Sequence, residues 1–349
     1  MTRSQITARV SMRYPYLLLA VTALSLIMIY TIIASVTQSI PSYPSLHFHV
    51  ITSSTTSHLE LCRITLPSAI MHKIPIHVLG LYYNETQLAQ QFGTHTLNRK
   101  STKFLYALPY LTSIPDDDVV LFVDAFDVLF QLTTYDIQQR YEALGRPDLL
   151  VMTENNCWPP QLRAEGYCDK YPPHPIAHRT VKPNRFLNSG AYIGRAWYIR
   201  QLQFAYIDHK HELMNHTFSD DDQGFFALAM LDFNSTYHLS LDYMNTIFMS
   251  LHNAYQDVTL VEQRDGTKIY FDNQGLTAPA MFHFNGEGKD HMQDMFRTQW
   301  FVNSVTSRII DENTWETITE TLVGVDHLGT NVPYKELCAP FISILQPNA

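Results

Sequence analysis

The chain has 349 residues and a formal net charge of -9, with 24 lysines and arginines, which argues against a nucleic-acid partner held on a basic surface. Hydrophobic residues make up 46% of it, ample for a large core, and an α/β fold of this length can form a single unit. Sixteen histidines are scattered along the chain, and the four cysteines show no zinc-site spacing.

Arg3, Arg9 and Arg13 precede an uncharged stretch, residues 16–36, that opens on Tyr16 and closes on Val36. As a helix it would reach roughly 32 Å, enough to span a bilayer. Positive charge before the span and none soon after it predicts a cytoplasmic tail over residues 1–15 and a transmembrane signal-anchor over 16–36. A stem rich in Ser and Pro follows over 37–46, and a lumenal domain over 47–349. A cleaved signal peptide is the rival, since Ala34-Ser35-Val36 is small enough to be cut; the long apolar core favours the anchor. Either way the body is exported, and the expectation is a type II protein of the endoplasmic reticulum or Golgi. Sequons at Asn84, Asn215 and Asn234 agree with this, as does an even set of cysteines, Cys62, Cys157, Cys168 and Cys338. Of the three possible pairings, one that joins Cys157 to Cys168 around a Pro-rich loop is favoured.

Residues 47–51 read as a first strand, followed by the polar loop Thr52-Ser53-Ser54-Thr55-Thr56-Ser57. That loop either caps the next helix at Ser57 or offers hydroxyls and N–H groups to a nucleotide. A helix over 59–69, a strand over 76–81 and a helix over 101–111 come next. Lys103 near the start of the last is either solvated or a counter-charge for a diphosphate. The apolar run Val119-Val120-Leu121-Phe122-Val123 predicts a strand buried on both faces. Asp124 and Asp127 follow it. In extended chain two residues three apart lie on opposite faces, so these carboxylates converge only if the backbone leaves the sheet at Ala125-Phe126. They either cap that turn or hold a hard divalent cation that would in turn hold a diphosphate.

Further on, residues 134–144 read as a helix capped by Thr133 or Thr134, and 148–153 as a strand. Residues 159–183 hold six prolines and predict a long ordered loop. Between Arg185 and Gly194, the glycines with Asn188 and Ser189 predict a turn between two strands. Asp220-Asp221-Asp222-Gln223 precedes an apolar helix, as a capping box or as carboxylates awaiting a cation. A late strand over 278–284 carries His283, placed to give an imidazole to a metal, with Lys289 beyond it to meet phosphate. From Gln299 onward the pattern is helix-like and without chemistry.

Five segments, in order, resemble the glycosyltransferase domain of the procollagen lysyl hydroxylases. They are Leu121-Phe122-Val123-Asp124-Ala125-Phe126-Asp127-Val128, Glu154-Asn155-Asn156-Cys157-Trp158-Pro159, the stretch from Arg185 to Gly194, Asp220-Asp221-Asp222-Gln223, and His283-Phe284-Asn285-Gly286-Glu287-Gly288-Lys289. The resemblance implies a GT-A-like fold, an α/β fold with a Rossmann-like nucleotide-binding sheet, working with Mn²⁺ and a UDP-sugar donor. By position it implies Asp124, Asp127 and His283 as metal ligands. It sets Lys103, Asn285, Gly286 and Lys289 near the diphosphate. Trp158 and the Asp221-Asp222 pair would face the sugar and the acceptor; Asn188, from its own chemistry with Ser189, could hydrogen-bond a polyhydroxyl ligand. The family's glycine triplet before the lysine is replaced here by Leu97-Asn98-Arg99-Lys100-Ser101-Thr102. The residues after Asp290 are too few for an iron- and oxoglutarate-dependent domain, so hydroxylation is not implied. The reading is a Mn²⁺-dependent enzyme that moves a hexose, glucose or galactose, from a UDP-sugar to a hydroxyl on a protein or glycan acceptor. Its rivals are a metal-dependent phosphohydrolase and a non-catalytic glycan-binding protein on the same fold.

Overall fold

The computed structural model describes residues 47–91, 102–175, 184–208, 221–233, 236–264, 266–274, 276–302 and 304–347. The expected tail, span and stem lie outside these residues, as do the sequons at Asn215 and Asn234. Among the described residues no helix is long and apolar enough to cross a membrane.

Thirteen strands are present in the described chain: β1 (Phe48–Ser53), β2 (Ile76–Leu79), β3 (Val119–Val123), β4 (Val128–Phe130), β5 (Leu149–Glu154), β6 (Phe186–Arg195), β7 (Leu239–Leu241), β8 (Phe248–Ser250), β9 (Val258–Glu262), β10 (Lys268–Asp272), β11 (Met281–His283), β12 (Leu322–Gly324) and β13 (Asn331–Pro333). Eight form one sheet in the order β13-β12-β2-β1-β3-β6-β5-β7. Only β6 and β13 run against the others. From β1 the chain crosses to β2 on one side and later to β3 on the other, so the strand order reverses between β1 and β3. In open α/β sheets that switch point, at the carboxyl ends of the strands, is where a ligand crevice forms.

β3 is buried at every position, as its unbroken apolar run predicts, because neighbours and helices cover both faces. Phe122 stacks on Tyr192 of β6 with centroids 4.9 Å apart. Phe104, Tyr206 and Phe226, from three helices, close over the same core. After Val123 the backbone does leave the main sheet. Residues 125–127 bend, and β4 joins a separate three-stranded sheet, β4-β11-β8. The helix at Thr134–Ala143 begins on a capping box between Thr133 and Asp136.

Three expectations are corrected. Residues 159–183 are not one open loop, since helical turns at Pro160–Ala164 and Tyr167–Lys170 occupy part of them, and residues 176–183 lie outside the described set. The stretch from Phe186 to Arg195 is one continuous strand, not a turn between two. Its pairing with β5 jumps from Val151↔Tyr192 to Met152↔Asn188, so the glycine signal marks a bulge. Beyond Gln299 the chain adds β12 and β13 to the main sheet as well as the helix Glu312–Glu320. Cys157 is bonded to Cys168 as expected, and Cys62 to Cys338. The second bond ties the C-terminal segment to the first helical stretch, where the Tyr334 hydroxyl also donates to the Cys62 carbonyl.

Candidate active site

The carboxyl ends of β1, β3 and β5, the bulge of β6 and the start of the helix Asp222–Leu231 enclose a cavity of about 530 Å³. All eleven residues singled out from sequence line it: Lys103, Asp124, Asp127, Trp158, Asn188, Asp221, Asp222, His283, Asn285, Gly286 and Lys289. They arrive from separate elements, so their meeting is a property of the fold.

Asp124, at the end of β3, is fixed by its own N–H, which donates to the Gly190 carbonyl at 2.7 Å. Asp127 precedes β4, and its carbonyl accepts from the Phe284 N–H just past β11. Register brings His283 opposite Val128, beside Asp127. His283 Nε2 lies 3.3 Å from an Asp127 oxygen and 3.5 Å from an Asp124 oxygen. One ligand atom from each of the three residues falls within 4.8 Å of the others, which makes this the one group of its kind among the described residues. The His283 ring is buried, yet neither nitrogen makes a hydrogen bond to a described residue. Buried polar atoms are ordinarily satisfied, and two carboxylates with one imidazole are a donor set that suits a divalent cation. The residues therefore fit a metal.

The β6 bulge makes room for this cluster. A Cβ on Gly190 would stand 2.2 Å from His283 Cε1, so only glycine lets the ring pack there. Gly286, at φ +54, turns under His252, whose Nδ1 would lie 2.2 Å from an added Cβ. Enclosure pushes the Asp124 carboxyl up despite Lys103 and His283. Enclosure opposes ionisation of Asp127 too, but there His283 and Lys289 prevail and hold the carboxyl low. His283 is raised, since Asp127 and Asp124 overcome the effect of burial.

Asp221 caps the helix Asp222–Leu231, accepting from the N–H groups of Gln223 and Gly224 at 3.1 and 3.3 Å. Asp222, one residue on, instead pairs with Lys103 at 2.6 Å. The two adjacent carboxylates thus have different employment. Lys289 is more than half exposed and reaches Asp127 at 3.3 Å. Trp158 stands at the rim, 40% exposed, next to the Cys157–Cys168 bond. Asn188 bonds its own strand, its Oδ1 accepting from the Gly190 N–H.

Sequence reading passed over Glu154, the last residue of β5 and 2% exposed. Gln223 Nε2 and Asn285 Nδ2 donate to its two oxygens at 2.7 and 2.9 Å. Asn285 in turn accepts from the Ser250 hydroxyl at 2.7 Å. The signal was available: Glu154, like Asp124, is a carboxylate closing a buried apolar strand at the same sheet edge. His252 gave no such signal. Burial pushes the Glu154 carboxyl up to about 7, although Gln223, Asn188, His283 and Asn285 pull the other way. Between its ordinary value of 4.5 and about 7, the folded chain keeps this proton while the unfolded chain has lost it. Stability should therefore fall as pH rises through that window and level off above it, by on the order of 3 kcal/mol. Denaturation curves from pH 4 to 8 should show this slope in the wild type and lose it in Glu154→Gln; equal slopes would show that Glu154 ionises normally.

A mostly parallel α/β sheet with an Asp-Asp-His cluster at its switch point defines an α/β fold with a candidate metal centre in its ligand crevice. The family model described as the PLOD GT domain matches residues 45–304, and the chain belongs to that glycosyltransferase-domain family. The multifunctional procollagen lysine hydroxylase and glycosyltransferase of Caenorhabditis elegans is 28% identical over 253 residues, which cover 70% of this chain and 31% of that one. The human protein of that description, LH3, is 30% identical over 181 residues, 50% of this chain and 21% of its own. The chain thus spans less than a third of the length of these curated relatives. A solved structure, the apo form of mouse xyloside xylosyltransferase 1, superposes with a TM-score of 0.41 at 10% identity over 70% of this chain and 98% of that one. That likeness is too distant to carry an argument.

Proposed function

We propose that this chain is a UDP-sugar-dependent hexosyltransferase with a GT-A-like fold, using Mn²⁺ and a hydroxyl acceptor on a protein or glycan. The observation that carries this reading is the meeting, in one cavity, of the Asp124-Asp127-His283 cluster with Asp222, which shares the Lys103 ammonium with Asp124. Family membership makes the chemistry glycosyl transfer and disfavours the phosphohydrolase.

A divalent cation held by Asp124, Asp127 and His283 would neutralise charge on a departing diphosphate. Lys289, exposed and able to swing from Asp127, serves the same diphosphate, with the turn at Asn285 and Gly286 beside it. Asp222 sets a negative charge near the anomeric carbon, where positive charge develops as the sugar departs. Trp158 offers a flat apolar face to a sugar ring at the rim. The proposed site of action is the lumen of the endoplasmic reticulum or Golgi, with residues 16–36 as the anchor; two disulfides support an oxidising compartment.

Release of UDP from a panel of UDP-sugars, with Mn²⁺ and with or without hydroxylysine- and glycan-bearing acceptors, tests the reading. UDP-glucose or UDP-galactose should give acceptor-dependent release that chelation abolishes. Absence of release with every donor would leave a non-catalytic glycan-binding protein.

A further inference from the structure

We propose that Lys103 is a positioning residue that ties the acceptor-side carboxylate Asp222 to the metal-ligand residue Asp124, and is not a contact to the diphosphate. The inference rests on the transferase reading of Asp222. An ammonium has three N–H donors. In Lys103 three acceptors surround Nζ: Asp222 Oδ2 at 2.6 Å, Asp124 Oδ1 at 3.0 Å and the Ser189 carbonyl at 3.4 Å. Nζ donates to Asp124 and to the Ser189 carbonyl, and the Asp222 carboxylate lies against it as an ion pair, so its one positive charge is already shared between two carboxylates. The side chain is 14% exposed, against 58% for Lys289, and its Nζ sits 5.3 Å from the centre of the Phe122 ring. Lys289 is free to follow a ligand, while Lys103 is built into the floor.

The two oxygens of Asp124 are divided. Oδ1 pairs with Lys103, and Oδ2 faces His283. Lys103 therefore turns Asp124 so that one oxygen addresses the metal-ligand cluster. Through the same ammonium it holds Asp222, a carboxylate 4% exposed that would otherwise have no cation beside it among the described residues. One side chain from the helix Thr102–Ser113 thus links the end of β3 to the start of the helix Asp222–Leu231.

A double-mutant cycle on Lys103→Met and Asp222→Asn tests this, read by transfer kinetics and by calorimetry of Mn²⁺ with UDP. Lys103→Met should lower kcat by a factor on the order of 10², with UDP affinity within about threefold of wild type. The double variant should be no slower than the slower single variant, because both changes break one unit. The single change leaves buried carboxylates unpaired and could unfold the chain; the double removes one charge of each sign, so its melting temperature should return toward that of the wild type. A tenfold or greater loss of UDP affinity in Lys103→Met with kcat intact would make Lys103 a phosphate contact. Losses that multiply in the double variant would make the two residues independent. Either result in an active enzyme removes only the assignment of Lys103, whereas a wild type inactive with every donor removes the transferase reading.

Discussion

Asp124→Ala and Asp127→Ala should each abolish Mn²⁺-dependent UDP binding while the melting temperature stays close to that of the wild type. Each change takes away one of three ligands, and the remaining pair cannot enclose a cation. Removal of groups that only support ligands already costs 10- to 100-fold in affinity, so loss of a ligand itself should cost about 10²-fold or more. The fold should survive, because both residues follow the last core position of β3 and contribute charge, not apolar packing. Calorimetry of Mn²⁺ and UDP decides the matter, and unchanged affinity in both variants would sink the metal assignment.

Asp222→Asn should lower sugar transfer by a factor on the order of 10² or more, about 2.7 kcal/mol of barrier, and leave UDP binding intact. Asp221→Asn should be nearly silent. From sequence the two aspartates were equivalent candidates; the structure separates them. Asp221 Oδ1 accepts from the N–H groups of Gln223 and Gly224, work that the Asn amide oxygen does as well. Both line the cavity, but it is Asp222 that pairs with Lys103, and Asn keeps its shape while removing the charge needed beside a cationic sugar. The charge–dipole contribution at a helix start, about 0.3–1 kcal/mol, is too small to produce such a loss of rate. Steady-state kinetics with saturating donor distinguish the cases. Normal turnover in Asp222→Asn would return this residue to a structural role at the start of its helix.

Much of this could be read before the fold was known, wherever the cause is local. An unbroken run of β-branched and aromatic residues, Val119 to Val123, had to be a strand covered on both faces. Two aspartates three positions apart could converge only if the chain turned, and residues 125–127 do bend there. The capping of Thr133 and the Cys157–Cys168 bond are likewise short-range. The full set of cavity residues was legible only through resemblance to a family, since nothing in a histidine at the end of a three-residue strand marks it as a partner of Asp127.

What tertiary structure alone decided depends on residues far apart in the chain. β6 looked broken by its glycines. It is continuous because β3 and β5 pair with it from both sides, and its bulge accommodates the ring of His283. β12 and β13 are three residues each, too short to show a period, and exist as strands because β2 offers an open edge. Glu154 is kept in a buried site by amides 69 and 131 positions away. Lys103, which pattern left between a solvated lysine and a phosphate contact, has its role set by carboxylates 21 residues away in Asp124 and, farther along the chain, in Asp222. Backbone propensity acts over a few neighbours and is written in them. The ionic and hydrogen-bonding state of a buried side chain depends on which distant groups the fold brings within about 3 Å, and that is absent from any local window.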